Sequence, residues 1–241
     1  MSKKSKILII RFSSIGDIVL TSPIIRCLKD QLDVEIDFLT KTNYQDLIIS
    51  NPNIREVITL SSISKTIDVL KSKNYDFVID LQNSFRSLFF RSFLAAKSYS
   101  LQKHNFKRYL LIYFGINLFN NHVVDRYFKS IKKLNVHNDN KGIDYFFNTK
   151  KFQLDFNTEQ EYICWCIGGT YEQKRLSAIQ IINVISKIEI PILLIGGKSE
   201  KKNSSLIINS FNHNNIFDLC GETSIDESAY LMKKSKLVLT N

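Results

Sequence analysis

Four consecutive aliphatic residues, Ile7 to Ile10, give way at Arg11 to a short polar turn and then to a helical spacing. This switch constrains the fold more than any other feature of the chain. An unbroken aliphatic run without alternation marks a strand buried on both faces, which is how strands lie in a parallel sheet. Ser13, Ser14 and Gly16 make the turn, and Ile18, Leu20 or Thr21, Ile24, Ile25 and Leu28 then recur at helical spacing. Pro23 lies inside that pattern, so the helix either kinks there or restarts with Ser22 as N-cap and Pro23 at its first position. Asp17 is thereby set at the carboxyl end of the first strand and near a helix N-terminus, the edge where open α/β sheets bind ligands. A carboxylate there has a second reading, as a cap on free N–H groups at the positive end of the helix dipole. With a single glycine, the turn matches neither Gly-x-Gly-x-x-Gly nor Gly-x-x-x-x-Gly-Lys-Ser/Thr, so no nucleotide phosphate is expected in it.

The alternation continues down the chain. Residues 34–40, 56–60 and 75–81 read as strands, residues 43–49, 64–73, 84–97 and 123–134 as helices, and residues 51–53 as a turn. The fourth strand brings Asp80, Gln82 and Asn83 to a carboxyl edge. Residues 161–167, 191–195, 216–219 and 236–240 read as further strands, with a helix over 178–188 and another capped by Ser224 and Glu227. Strands alternating with helices at this spacing mean a parallel sheet wound with helices. Residues 135–157, rich in Asn, Asp and Lys, divide the two runs, and 143–147 read as an edge strand within them. The expected organisation is an α/β chain of two domains, 1–140 and 161–241, joined by a linker over 141–160. In the second domain Gly168, Gly169 and Thr170 follow a strand, where backbone N–H groups and a helix N-terminus suit a diphosphate. Lys174 adds a point charge there, or is an ordinary solvated lysine in a βα loop. Gly196 and Gly197 let the backbone turn close to a ligand.

Charge separates the two halves. The net charge is +10, yet residues 151–241 carry ten Lys and Arg against ten Asp and Glu, so the whole excess lies in residues 1–150. It concentrates between 83 and 141, and an excess confined to one domain asks for an anionic partner. In the same region Phe85, Phe89, Phe90 and Phe93 mix with Arg86 and Arg91, and residues 103–114 interleave Lys107 and Arg108 with aromatics. Three readings stay open: stacking on single-stranded nucleic acid, an anionic bilayer surface, or a helical hairpin with an aromatic core and solvated lysines. No RNA-binding signature accompanies the pattern, so nucleic acid is not expected. With a 44% hydrophobic and 12% aromatic composition, a globular core and not disorder is expected. Four scattered cysteines make no disulfide framework, Cys164 and Cys166 read as buried thiols, and with four spread histidines no metal site is expected. Neither a signal h-region nor a run near the ~20 apolar residues of a spanning helix is present, so a cytoplasmic location is expected.

The stretch Arg11-Phe-Ser-Ser-Ile-Gly-Asp-Ile-Val-Leu-Thr-Ser-Pro23 resembles the N-terminal signature of the heptosyltransferase-like enzymes, glycosyltransferase family 9. Weaker matches follow in order: residues 80–86, 122–127, 168–170 with Lys174 and Arg175, 191–197 with Glu200, and 219–224. The resemblance implies a GT-B-like fold of two doubly wound parallel-sheet (Rossmann-like) domains facing across a cleft. It implies transfer of a heptose-like sugar from a nucleotide-sugar donor to a lipopolysaccharide-core or related anionic glycolipid acceptor, with inversion and with neither metal nor cofactor. Asp17 is then the general base. Ser13, Ser14, Gly16, Asn83, Arg86, Lys107 and Arg108 are expected on the acceptor side. Gly168, Gly169, Thr170, Lys174, Gly197 and Glu200 are expected on the donor, Glu200 accepting from a ribose. No Asp-x-Asp pair occurs, so N–H groups and Lys174 are expected to stabilise the leaving diphosphate. Peripheral contact with the inner face of the cytoplasmic membrane accompanies this reading. Leu176 stands where the family often has an aromatic. The family continues beyond the last strand into a phosphate-binding loop, so the second domain is expected to be incomplete, the chain inactive, and Ile225, Leu231 and Leu237 poorly buried. Two rival readings are a non-catalytic basic domain on anionic glycolipid or membrane, and an oxidoreductase, which the missing Gly-x-Gly-x-x-Gly disfavours.

Overall fold

A computed structural model describes residues 4–101, 122–149, 152–154, 156–169, 173, 175–211 and 215–240. The chain divides into two units, Met1–Phe146 and Phe147–Asn241. The boundary falls within residues 141–160.

The first unit runs β1 (Ser5–Ile10), α1 (Ile15–Val19), α2 (Ser22–Gln31), β2 (Val34–Thr40), a 3-10 turn (Thr42–Leu47), β3 (Glu56–Thr59), α3 (Ile63–Ser72), β4 (Phe77–Asp80), α4 (Phe85–Ser92), β5 (Lys97–Ser100), α5 (Val123–Ser130) and a 3-10 turn (Lys132–Leu134). Its five strands are parallel, in the order β3-β2-β1-β4-β5. The central strand explains the aliphatic run. Ile7 and Ile9 pack with Ile36, Phe38 and Ile79 on one face, Leu8 and Ile10 with Leu39 and Val78 on the other. All four are fully buried, each contributing about 1.5–3 kcal/mol.

Three local expectations are corrected. The first helix restarts, but Thr21 is the N-cap and Pro23 lies in the first turn of α2. Thr21 Oγ1 donates back to Ile18 O at 2.6 Å as α1 ends. The helix expected over 84–97 stops at Ser92, and Lys97–Ser100 is a strand. Only Tyr99 in β5 is buried, so its period-two pattern rests on one residue. Residues 143–147 form no strand, because the Asp144 N–H is taken by Ser22 Oγ at 2.9 Å.

That last contact belongs to a clamp. Arg26 on α2 donates through Nε and Nη2 to the two oxygens of Asp139, both at 2.7 Å, and to Gly142 O at 3.0 Å, and it also pairs with Asp144. The guanidinium hydrogen bonds hold the Asp139 carboxyl well below its ordinary value. A carboxylate depressed in the folded state contributes stability that is complete above its unfolded pKa, near 3.8, and is lost as pH falls through the folded value. Asp139→Asn is therefore expected to destabilise the first unit at neutral pH. Unfolding free energies measured from pH 6 downward should show the gap to the wild type closing below about pH 4. A pH-independent gap would mean that Asp139 acts without its charge.

The second unit runs β6 (Ile163–Cys166), α6 (Ala178–Ile185), β7 (Ile192–Ile195), a 3-10 turn (Lys198–Glu200), α7 (Lys201–Ile208), β8 (Ile216–Asp218), α8 (Ile225–Lys234) and β9 (Leu237–Thr240). The strands are parallel in the order β8-β7-β6-β9. Ile163, Trp165, Ile192 and Leu194 fill one face, Cys164, Leu193 and Ile195 the other. Leu231 is fully buried rather than poorly so, since α8 lies on the second face and Tyr162 OH donates to Leu231 O at 2.6 Å. Ile225 and Leu237 stay partly exposed. At the start of this unit Asn148 N–H donates to Asp226 and Gln153 N–H to Glu227, fastening the chain to the first turn of α8. Strand order reverses beside the first strand of each sheet, giving switch points at β1/β4 and at β6/β9.

Candidate active site

At the β1/β4 switch point two strand-end loops interlock. Arg11 leaves β1 with Nη1 donating to Leu81 O at 2.5 Å and Nη2 at 2.6 Å from Asp17 Oδ2. Phe12 N–H donates to Gln82 Oε1 at 3.0 Å. Asp17 is the third residue of α1, and its Oδ2 also accepts from Ser14 N–H at 3.2 Å and Ser14 Oγ at 3.1 Å. That is one arm of a capping box, so the structural role exists. It does not use up the carboxylate. All three contacts fall on Oδ2, Oδ1 has no partner among the described residues, and the side chain is 34% exposed. A carboxylate oriented through one oxygen and open at the other suits a base. From α5, Tyr127 OH donates to Asp17 O at 3.2 Å. Burial pushes that phenol up to about 12, so it stays protonated and keeps donating.

The facing loop is held by Asp80. It is fully buried at the end of β4, and its Oδ1 accepts from Gln82 N–H at 3.1 Å and Asn83 N–H at 2.7 Å. Asn83, at a positive φ of 45°, donates through Nδ2 to Leu101 O, so its amide nitrogen serves the loop. Ser13 is half-buried, and Ser14 and Gly16 are exposed. A Cβ built on Gly16 would meet nothing within 4 Å, so the protein's own packing does not require a glycine there. Arg86 is exposed with no partner among the described residues. Lys107 and Arg108 lie outside the described residues.

In the second unit the neighbouring strands β6 and β7 end in paired glycines, and Glu200 ties the two loops together. It is 5% exposed. Its Oε2 accepts from Gly197 N–H at 2.9 Å, and its Oε1 accepts from Ser199 Oγ at 2.8 Å and lies 3.3 Å from Arg175 Nη2. Arg175 in turn donates through Nε to Gly169 O at 2.5 Å. Both oxygens of Glu200 are thus engaged within the loops, and a ligand hydroxyl would share them. The helix expected to receive the diphosphate begins only at Ala178, where Ser177 and Gln180 already cap it. The loop N–H groups, not that helix end, are what the glycines offer. Thr170 and Lys174 lie outside the described residues.

Gly196 is needed for close approach. A Cβ on it would lie 2.9 Å from Glu200 Cβ and 3.2 Å from Cys220 Sγ, whereas one on Gly168 would sit 3.5 Å from Glu200, an ordinary contact. Gly196→Ala is expected to displace Glu200 and cost about 1–3 kcal/mol in denaturant unfolding. Gly168→Ala should stay within about 0.5 kcal/mol. Equal costs would show that the loop shifts freely. Sequence reading assigned no role to Arg11 or Arg175, although both lie in the matched motifs. The available signal was a cation in the same strand-end loop as, or facing, a candidate carboxylate.

The description glycosyltransferase family 9 (heptosyltransferase) matches residues 63–241, which includes every described element of the second unit but not the Asp17 loop. Among solved structures the chain is similar to the glycosyl transferase family 9 protein from Veillonella parvula DSM 2008, with a TM-score of 0.80 at 19% identity over 100% of this chain and 77% of that one. It is similar to E. coli heptosyltransferase WaaC with ADP, with a TM-score of 0.78 at 18% identity over 98% and 81% of the two chains. For E. coli ADP-heptose lps heptosyltransferase II the values are 0.70, 18%, 98% and 78%. No curated protein sequence matches the chain. At these identities the structures establish the fold, which is GT-B-like. The family match spans most of the chain and contains the interlocked glycine loops of β6 and β7, and on that ground the protein belongs to glycosyltransferase family 9, the heptosyltransferase family.

Proposed function

We propose that the protein transfers a heptose-like sugar from a nucleotide-sugar donor of the ADP type to a lipopolysaccharide-core or related anionic glycolipid acceptor, with inversion and without a metal. The observation that carries this reading is the half-committed carboxylate of Asp17, anchored through Oδ2 and open at Oδ1 at a sheet switch point. Oδ1 takes the proton of an acceptor hydroxyl while that oxygen bonds to the anomeric carbon. The bond to the diphosphate breaks on the opposite face, and the nucleoside diphosphate leaves with the electron pair. Ser13, Ser14, Gly16, Asn83 and Arg86, with Lys107 and Arg108, orient the acceptor. Gly168, Gly169, Thr170 and Lys174 stabilise the leaving charge through fixed donors, a contribution of the kind worth about 10²–10³-fold per donor. Gly197, whose N–H is held by Glu200, lets the backbone come close to the donor. Glu200 positions the two glycine loops and shares a hydrogen bond with the ribose.

Acceptors of this class are presented at a membrane. Among the described residues no helix is long and apolar enough to cross one. On α4, Phe85 is 92% exposed, and Leu88 and Phe89 are exposed beside Arg86, which supports peripheral contact with the inner face of the cytoplasmic membrane. Calorimetric titration with ADP-heptose and with other nucleotide sugars, followed by transfer to a heptose-free lipopolysaccharide core, tests the reading. The expected result is selective ADP-heptose binding, an inverted product by NMR, and no effect of EDTA. Binding of anionic vesicles without binding of any nucleotide sugar would favour the non-catalytic reading instead.

A further inference from the structure

The outer edge of the first sheet carries a basic cavity that the transfer reaction does not use. Its volume is about 610 Å³, and it is lined by β5 and by Arg126, Lys129, Lys132 and Lys133. The helical period explains how the cations come together. On α5 and the turn after it, Val124, Tyr127 and Ile131 are buried. Arg126, Lys129, Ser130 and Lys133, spaced three, four and seven residues apart, form the adjoining stripe toward the cavity. Across from them β5 contributes Lys97 with the hydroxyls of Ser98 and Ser100. Among the described residues β5 pairs only with β4, so its outer N–H groups add further donors.

Among the described residues no Asp or Glu lines the cavity. Lys97, Lys132 and Lys133 have no ion-pair partner among the described residues. The nearest carboxylate in sequence, Asp125, lies round the helix in a smaller neighbouring cavity with Lys129 and Lys132, and accepts from His122 N–H at 3.2 Å. A lysine on an edge strand guards against unwanted pairing, and one at a helix C-terminus complements the dipole. Those roles explain Lys97 and Lys129 singly. They do not explain why Lys97, Lys132 and Lys133, without an ion-pair partner among the described residues, face one concavity of small-molecule size.

We propose that this cavity is a binding site for a phosphate group, distinct from the Asp17 loop. Ammonium and guanidinium groups, serine hydroxyls and strand N–H groups are all donors, and a tetrahedral anion with several acceptor oxygens matches them. The phosphate is either borne by a lipid headgroup or free on a soluble molecule. The site does not depend on the proposed transfer reaction, because its test needs no turnover.

The full chain is titrated with inorganic phosphate at low ionic strength. It is compared with Lys97→Gln/Lys133→Gln and with Lys187→Gln/Lys202→Gln, which removes the same charge from exposed positions of the second unit. The cavity variant is expected to weaken phosphate binding by about tenfold or more and the control by less than about twofold, with the difference shrinking in high salt. All the substituted lysines are exposed, and unchanged unfolding midpoints confirm that both variants are folded. Equal losses in the two variants, or no loss in the cavity variant, overturn the proposal. Phosphatidylcholine vesicles with and without phosphatidylglycerol then separate the sources. Vesicle binding lost in the cavity variant supports a lipid headgroup. Vesicle binding unaltered, with phosphate binding lost, supports a soluble phosphate.

Discussion

Asp17→Asn is expected to slow sugar transfer by about 10²–10⁴-fold while leaving the first unit folded. The asparagine carbonyl still accepts from Ser14 N–H and Ser14 Oγ, which the carboxylate now receives at 3.2 and 3.1 Å. What disappears is the ion pair with Arg11 and the ability of the open oxygen to take a proton. The pair is partly exposed, so its loss together with a weakened cap should cost only about 1 kcal/mol. The two roles of Asp17 therefore separate by measurement. A base gives a collapse of kcat with both substrate KM values and the unfolding midpoint nearly unchanged. A mere cap gives a shifted midpoint and activity within a few-fold of the wild type, and that result would remove Asp17 from the mechanism.

Arg55→Met should destabilise the first unit by about 3–5 kcal/mol, the largest stability change foreseen for a single substitution here. The reason lies in Asp37, a fully buried carboxylate in the middle of β2. Arg55 grips both of its oxygens, Nε at 2.9 Å and Nη2 at 2.5 Å, and Tyr75 OH donates to it at 2.7 Å. Burial and the adjacent carboxylate push the Tyr75 phenol far up, so it remains a donor at any ordinary pH. Removing the guanidinium leaves an ion in the core with a single neutral hydrogen bond. Asp37→Asn in the Arg55→Met background should recover a large part of the loss, since the amide has no charge to desolvate. Urea unfolding of the two single variants and the double variant closes the cycle. A cost near that of a surface pair, about 1 kcal/mol, would show that the fold does not depend on the guanidinium to hold Asp37.

Legibility in the sequence followed burial. β1 and β7 are legible because their aliphatic runs are buried on both faces, and β2 because it alternates and then runs apolar. β5 was missed because a polar edge strand with one buried residue carries almost no periodic signal. The stretch 143–147 misled for the opposite reason. Its aromatic run looks like a strand, yet Ser22 and Arg26, more than a hundred residues earlier, claim its polar groups. The same division holds at the candidate site. Asp17, Asn83, Gly168 and Gly197 could be placed beyond strand ends from the sequence because each follows a hydrophobic strand run, and strand ends in a parallel sheet lie on one edge.

By itself the sequence determined the α/β alternation, the two sheets, the strand-end positions of the candidate site residues and the basic character of the first unit. Each of these is set by local periodicity or by composition. Tertiary structure alone decided that Arg11 fixes one oxygen of Asp17 and leaves the other open. It also decided that Glu200 joins two glycine loops through Arg175, and that five scattered cations surround one cavity. Those facts depend on which strands become neighbours. Arg11 reaches Leu81 across seventy residues, and no repeat within a single helix or strand encodes that distance.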